Sequence, residues 1–394
     1  MTDFSKKHFA TRTIRELEQR SAYREHSPAL HLTSSFVFES AAQAADIFAE
    51  REAAFSYSRF GNPTTDAFEK RLCALEEGAR CTATASGMSA ILSLALAQTQ
   101  AGDHIICARN SFGSTINLFT QTLAKFSIET TLVNIAQLDE WRAAMRPNTK
   151  LLFAETPANP LLDLADIAAL ADIAHQGGAK LVIDNCFATP YLQLPLTLGA
   201  DFSLHSATKY LDGQGRIIGG AVVSRHAEDG DALYRLMRGI GTTMNAFEAW
   251  ICLKSLETLH IRMQRHSENA LHIARWLESR PEISRVYYPG LASHPQHALA
   301  QQQMHGGYGG IVSFDLKGGK DAAWHLIDHC DWLSVSGNLG DARTIITHPD
   351  STTHGRVAPE EKARIGLTDG AIRLSVGLED ADDICAALAQ SLKN

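Results

Sequence analysis

Between Cys81 and Ser224 the chain alternates short apolar runs with stretches whose apolar positions recur every three to four residues. The runs are Thr82-Ala83-Thr84-Ala85, His104-Ile105-Ile106-Cys107, Glu129-Thr130-Thr131-Leu132-Val133, Lys150-Leu151-Leu152-Phe153-Ala154, Leu181-Val182-Ile183, Phe202-Ser203-Leu204-His205 and Gly220-Ala221-Val222-Val223. Each is strand-sized, and the segments between them have the period of amphipathic helices. In Asp163 to Gln176, for example, Leu164, Ile167, Leu170, Ala171 and Ala174 fall on one face, and Gly177-Gly178 supplies the stop. Such alternation predicts an α/β fold with a mostly parallel, doubly wound central sheet. Its ligands then sit at the carboxyl ends of the strands.

From Phe247 to Arg280 the pattern predicts one long helix, with Ile251, Leu253, Leu256, Leu259 and Ile261 on its apolar side and Pro281 ending it. Beyond it, Val286-Tyr287-Tyr288, Ile311 to Leu316 and Ile372 to Val376 read as strands, and Asp321 to His329 and Asp380 to Leu392 as helices. That mixture predicts a smaller C-terminal α+β domain. Residues before about Asn62 lack the alternation and read as an extended arm, a kind of segment that packs on another subunit. The expected division is an arm over 1–62, a large domain over 63–258 and a small domain over 259–394. A chain of 394 residues exceeds what one hydrophobic core serves, in keeping with that division.

Composition narrows the partners. With 36 Lys+Arg against 44 Asp+Glu, a net charge of −8 argues against nucleic acid or an anionic membrane surface and favours small molecules. The 7 cysteines are scattered and contain no Cys-x-x-Cys pair, so neither a disulfide framework nor a zinc ribbon is expected, and reduced cytoplasm is the natural compartment. Met1 to Arg24 has no apolar core of a signal peptide, and no stretch approaches a membrane span.

Lys209, in Ser206-Ala207-Thr208-Lys209-Tyr210, follows Asp184 at the end of a strand-like run. Either residue alone is an ordinary strand-end residue. Together they suggest a lysine that captures a carbonyl as an imine and a buried carboxylate that keeps a pyridine nitrogen protonated. With the Ser206 and Thr208 hydroxyls suited to a phosphate, the combination spells pyridoxal phosphate. Ser86-Gly87-Met88-Ser89 lies where a strand gives way to the helix Ala90 to Ala97, a natural anion site, although taken alone Ser86 is a simple cap. Arg59 offers a planar fork for phosphate and Tyr57 a hydroxyl beside it. Phe112 opens a helix where its ring would lie over a cofactor, or else is a core aromatic. Asn159, between prolines, is aimed at a phenolic oxygen or is a routine turn residue.

These residues resemble the cystathionine-γ-synthase-like family of pyridoxal-phosphate enzymes of cysteine and methionine metabolism, from about Thr11 to the last helix. The matching motifs are YSRFGNPT at Tyr57, SGMSA at Ser86, ETPANP at Glu155, DN at Asp184, SATKY at Ser206, HPDSTTH at His348 and RLSVGLED at Arg373. The resemblance implies the aminotransferase-like fold type I, with Lys209 bound to the cofactor and Asp184 paired with its ring nitrogen. It implies that Gly87, Met88, Ser206 and Thr208 hold the phosphate, and that Tyr57 and Arg59 reach it from a neighbouring subunit. The active unit is then a homodimer, commonly paired into a tetramer. Arg373 corresponds to the clamp on the substrate α-carboxylate, with Ser336 a candidate beside it.

Two departures refine this. Relatives that cleave cystathionine or methionine have Tyr at the position of Phe112, which here can only stack, so Lys209 is left as the chief proton carrier. Acetyl-ester relatives lack an arginine at Arg216, which is a candidate for a distal succinyl carboxylate or else a solvated loop residue. His348 and His354, with no third ligand, make a poor metal site; no metal is expected, and their loop reads as part of the substrate entrance. The implied reaction is γ-replacement, in which O-succinyl-L-homoserine and sulfide give L-homocysteine and succinate. Cysteine in place of sulfide is the nearest alternative; an acetyl ester or γ-elimination stands further off. A nucleotide-binding oxidoreductase would need a Gly-x-Gly-x-x-Gly after the first strand, which is missing. A non-catalytic scaffold would have no reason to keep Lys209, Asp184, Arg59 and Arg373 together.

Overall fold

The apolar runs become strands at the expected places in a computed structural model, which describes residues 4, 6–16 and 20–393. The parts of the arm at 1–3, 5 and 17–19, and residue 394 of the small domain, lie outside the described residues. Strands β1 (Arg80–Thr84), β2 (His104–Ala108), β3 (Glu129–Val133), β4 (Thr149–Glu155), β5 (Lys180–Asp184), β6 (Phe202–Ser206) and β7 (Gly220–Ser224) form one sheet, in the order β1-β7-β6-β5-β4-β2-β3. From β3 to β6 neighbours are parallel; β7 runs antiparallel between β6 and β1. Successive side chains point to opposite faces, and both faces are covered. Ile106, Leu152, Ala154 and Ile183 pack on Trp141, Leu170 and Ile173, whereas Ile105, Phe153, Val182 and Leu204 pack on Ala90, Ile91 and Leu94. Each large side chain so buried contributes about 1.5–3 kcal/mol.

Local capping sets where the helices start. The helix expected from Asp163 begins at Ile167, because Asp166 accepts the Ala169 N–H as its cap and Asp163 instead accepts from Asn110 at 2.6 Å. The long helix expected over Phe247 to Arg280 is two, Ala246–Leu256 and Leu259–Glu278. At the break the Ser255 carbonyl, which a continuous helix would give to Leu259, is taken by the buried Arg262 guanidinium at 3.0 Å and the Thr258 hydroxyl at 3.2 Å. Side chains three and seven residues further along thus take the place of the helical bond.

The C-terminal part holds a second sheet of β8 (Ile283–Tyr287), β9 (Ile311–Leu316), β10 (Ser334–Val335), β11 (Ile345–Thr347) and β12 (Ala371–Ser375), in the order β10-β11-β12-β9-β8. Of these, β10 and β11 were not expected; two and three residues are too few to display alternation. The arm is also less extended than its composition suggests, since it folds helices at Phe9–Arg15 and Ala41–Phe48. Arg71 anchors the first of them to the body, donating to the Glu16 and Thr13 carbonyls. No helix among the described residues is long and apolar enough to cross a membrane.

Candidate active site

Three neighbouring strands deliver their last residues to one place. Glu155 and Asp184 are register partners at the ends of β4 and β5, and β6 ends at Ser206, followed by the turn that carries Lys209. The turn is closed by the Lys209 N–H donating to the Ser206 carbonyl at 3.1 Å and the Gly213 N–H donating to the Lys209 carbonyl at 2.7 Å. Lys209 Nζ donates to Asn338 Oδ1 at 2.5 Å. Burial pushes its titration below the ordinary lysine value, against a raising influence from Cys186, and Arg373 lowers it further. A larger share of this amine is therefore neutral and nucleophilic.

The two carboxyl groups are tuned apart. Asp184 is buried, its Oδ1 accepting the Cys186 N–H at 3.1 Å. Burial raises its titration to about 6, opposed by the Cys186 hydrogen bond and by His205. Glu155 is raised well above the carboxylate range, first by burial and then by Asp184, although it accepts the Phe112 N–H at 2.8 Å. Glu155 is thus the member that keeps its proton, which leaves Asp184 as the anion facing a ligand.

On the other side, Ser86 caps the helix Gly87–Gln98 in a reciprocal pair with Ser89, at 3.0 and 2.8 Å. This capping box, worth about 1 kcal/mol, leaves the Gly87 and Met88 N–H groups unused at the positive end of the helix. A Cβ on Gly87 would lie 2.8 Å from the Ser206 Cβ, so glycine is what allows Ser206 to come so close. The Thr208 hydroxyl accepts the Gly219 N–H at 3.0 Å and stands in the same turn.

From the second sheet comes Arg373, in β12 and 1% exposed. It donates to Asn159 Oδ1 at 3.1 Å and to the Gly337 and Asn338 carbonyls at 3.0 Å, while its Nε is buried without a partner. Among the described residues no carboxylate forms an ion pair with it, and burial lowers its titration to about 10. A buried cation ringed by neutral acceptors is built for an incoming carboxylate.

The structure thus brings together Lys209, Asp184, Gly87, Met88, Phe112, Asn159, Ser206, Thr208 and Arg373. Ser336 enters indirectly, its hydroxyl accepting the Asn338 N–H at 3.2 Å. Arg216 is turned elsewhere, its guanidinium held by the fully buried Asp212 at 2.8 Å and by Ser255 at 2.5 Å. Arg216→Ala would leave that carboxylate the residue-216 backbone N–H at 2.7 Å but take away its guanidinium partner, and is expected to cost about 1–3 kcal/mol, read as a lower urea midpoint. A selective loss of kcat/KM for a succinyl over an acetyl ester would instead return Arg216 to substrate recognition. Tyr57 and Arg59 line a cavity of about 360 Å³ with Thr33, Ser34 and Thr243 at the root of the arm. Among the described residues no contact joins them to Lys209 or Ser206 of the same chain. Two groups escaped the sequence reading, Glu155 and Asn338. Asn338 lies in Ser-Gly-Asn-Leu-Gly, a turn-rich run that carries no chemical signal of its own.

A neutral-leaning lysine, a buried anion, a helix N-terminus beside two hydroxyls and a buried arginine make a donor set into which pyridoxal phosphate fits. Fold and site define a pyridoxal-phosphate enzyme of fold type I. The profile of the Cys/Met metabolism PLP-dependent enzymes matches residues 10–393, and the chain belongs to that family, whose cofactor is pyridoxal phosphate. It is 52% identical to an O-succinylhomoserine sulfhydrylase of Pseudomonas aeruginosa, over 98% of this chain and 95% of that one. An L-methionine gamma-lyase of Fusobacterium nucleatum is 43% identical, over 92% of both chains. The crystal structure of MetB from Corynebacterium glutamicum superposes with a TM-score of 0.94 at 35% identity, covering 100% of both.

Without cofactor, the raised Asp184 carboxyl has a consequence for stability. A folded-state value of about 6 against an ordinary 3.8 means the folded chain binds that proton more tightly than the unfolded chain. The associated stability is fully present below the ordinary value and is lost as pH rises through about 6. The apoprotein is therefore expected to gain stability from this group on going from pH 7 to pH 5. In Asp184→Asn that increment should vanish, read as a flatter dependence of the denaturation midpoint on pH.

Proposed function

We propose that this protein converts O-succinyl-L-homoserine and sulfide to L-homocysteine and succinate, as a transferase of methionine biosynthesis in the cytoplasm. The observation that carries this reading is the 52% identity to an O-succinylhomoserine sulfhydrylase along nearly the whole chain, with Phe112 at the ring-stacking position. A phenyl ring there has no hydroxyl to move protons, which favours replacement over the elimination of the gamma-lyases.

Arg373 takes the substrate α-carboxylate, completing its buried ring of acceptors, while Asn159 braces the guanidinium. Gly87, Met88, Ser206 and Thr208 hold the cofactor phosphate, and Asp184 keeps the ring nitrogen protonated. Bound to Lys209, pyridoxal phosphate supplies the electron sink that acidifies the protons on the substrate Cα and Cβ. The Lys209 amine would remove and return those protons from a position set by Asn338. Glu155 fixes the Phe112 backbone so that the ring caps the site. In the net change hydrosulfide forms a bond to Cγ and the Cγ–oxygen bond to succinate breaks.

In this reading the arm, residues 1–62, lies on a neighbouring subunit and carries Tyr57 and Arg59 to its phosphate site, beside a large domain over 63–258 and a small one over 259–394. The apolar surface of the arm supports this, with Leu32 73%, Val37 99% and Phe48 64% exposed in the single chain. The active unit is then a homodimer, and a dimer of dimers accounts for the remaining apolar surface. The deciding assay offers succinyl and acetyl esters, each with sulfide or cysteine, and identifies the product. Homocysteine from the succinyl ester and sulfide is expected. Preferential formation of cystathionine, or preference for the acetyl ester, overturns the assignment.

A further inference from the structure

A polar cluster that the reaction does not use is buried beneath the ends of β5 and β6. Glu76, at the end of the helix Pro63–Leu75, places Oε1 2.5 Å from His205 Nε2, with side-chain exposures of 0% and 1%. Asn185 donates to the same Oε1 at 3.0 Å and to the Gln193 carbonyl at 3.0 Å. Gln193 in turn donates to Asn185 Oδ1 at 3.1 Å and to the Thr156 carbonyl at 3.0 Å. The Thr156 N–H donates to the Asp184 carbonyl at 3.3 Å, so the network closes around the backbone from which Asp184 projects. Glu76 Oε2 and His205 Nδ1 remain buried without partners. Burying a carboxyl and an imidazole is costly, and apolar side chains of similar volume would serve packing at least as well.

We propose that Glu76 and His205 form a positioning pair for Asp184, fixing the strand end that carries it and setting the imidazole, braced by the Glu76 carboxyl, behind it. Asp184 would then be held as the anion that a protonated pyridine nitrogen requires. Of the other groups facing Asp184, Glu155 on β4 opposes ionisation, the Cys186 N–H favours it through its hydrogen bond while the Cys186 thiol is kept protonated by burial, and Lys209 is required by the cofactor. After that hydrogen bond, His205 is the neighbour that draws the Asp184 titration down. His205 itself faces Glu76, Ser203 and Asp184. The inference rests on pyridoxal phosphate as the cofactor and is independent of which ester is the substrate.

The test titrates cofactor-stripped protein with pyridoxal phosphate between pH 5 and 8.5, following absorbance, for wild type, Glu76→Gln and His205→Asn, with thermal midpoints measured alongside. In both variants the pH at which affinity develops is expected to move up by about one unit, equivalent to about tenfold weaker binding near pH 6. A structural role alone would weaken binding by the same factor at every pH. That uniform loss, or a pH midpoint unchanged from wild type in a folded variant, overturns the proposal. Should His205→Asn fail to fold, Glu76→Gln, which keeps the shape of the side chain, decides alone.

Discussion

Lys209→Ala is expected to lower kcat by at least about ten-thousandfold, because in the proposed mechanism one side chain both holds the cofactor covalently and moves the substrate protons. Its environment supports both tasks. Burial lowers its affinity for a proton, and the bond to Asn338 aims the amine from a residue 129 positions away. The alanine variant retains Gly87, Met88, Ser206 and Thr208, so it should still bind pyridoxal phosphate, noncovalently. Borohydride reduction and peptide mapping provide the check. Wild type should carry a pyridoxyl group on Lys209 and the variant none. A folded variant with turnover within a hundredfold of wild type would move the proton-carrying role to another residue.

The second large effect is expected at Arg373. Removing one partner of a buried, hydrogen-bonded charge pair costs about 2–5 kcal/mol, which at the upper end is about four orders of magnitude in kcat/KM. Arg373→Met keeps much of the side-chain volume and removes the charge, so such a loss in an intact fold would assign the residue to substrate recognition. Arg373→Lys should recover little. Three fixed acceptors at 3.0–3.1 Å already orient the planar guanidinium, and a lysine can satisfy neither that geometry nor a bidentate carboxylate. The thermal midpoint separates loss of binding from loss of fold. Wild-type kcat/KM in a folded Arg373→Met protein would remove it from the site.

Much of the site was legible because its members stand at strand ends and helix starts, where local patterns are strong. Asp184 closes a run of apolar residues, and Ser86 precedes an apolar helix with the spacing of a cap. The resemblance then carried Arg373 to the site, where the fold sets it against Asn159, 214 positions earlier. Asn338 and Glu155 were not legible for the same reason that the partners of Arg216 were not. An asparagine in a turn, a glutamate at a strand end and an arginine in a loop acquire their roles only from what the folded chain sets against them. For Arg216 that is the buried Asp212, four residues earlier, together with Ser255.

The local order of the chain determined the α/β class, the places of the seven strands and the motifs that carry the resemblance to pyridoxal-phosphate enzymes. Hydrophobic period and cap chemistry act over a few residues, and no distant partner is needed to express them. Tertiary structure alone decided that β7 runs antiparallel, since an apolar run has no preferred direction until a neighbour offers it hydrogen bonds. It also paired Glu76 with His205, 129 residues apart, and set Arg373 against Asn159, 214 residues apart. Those outcomes depend on which groups are excluded from water together, and only the packed chain settles that.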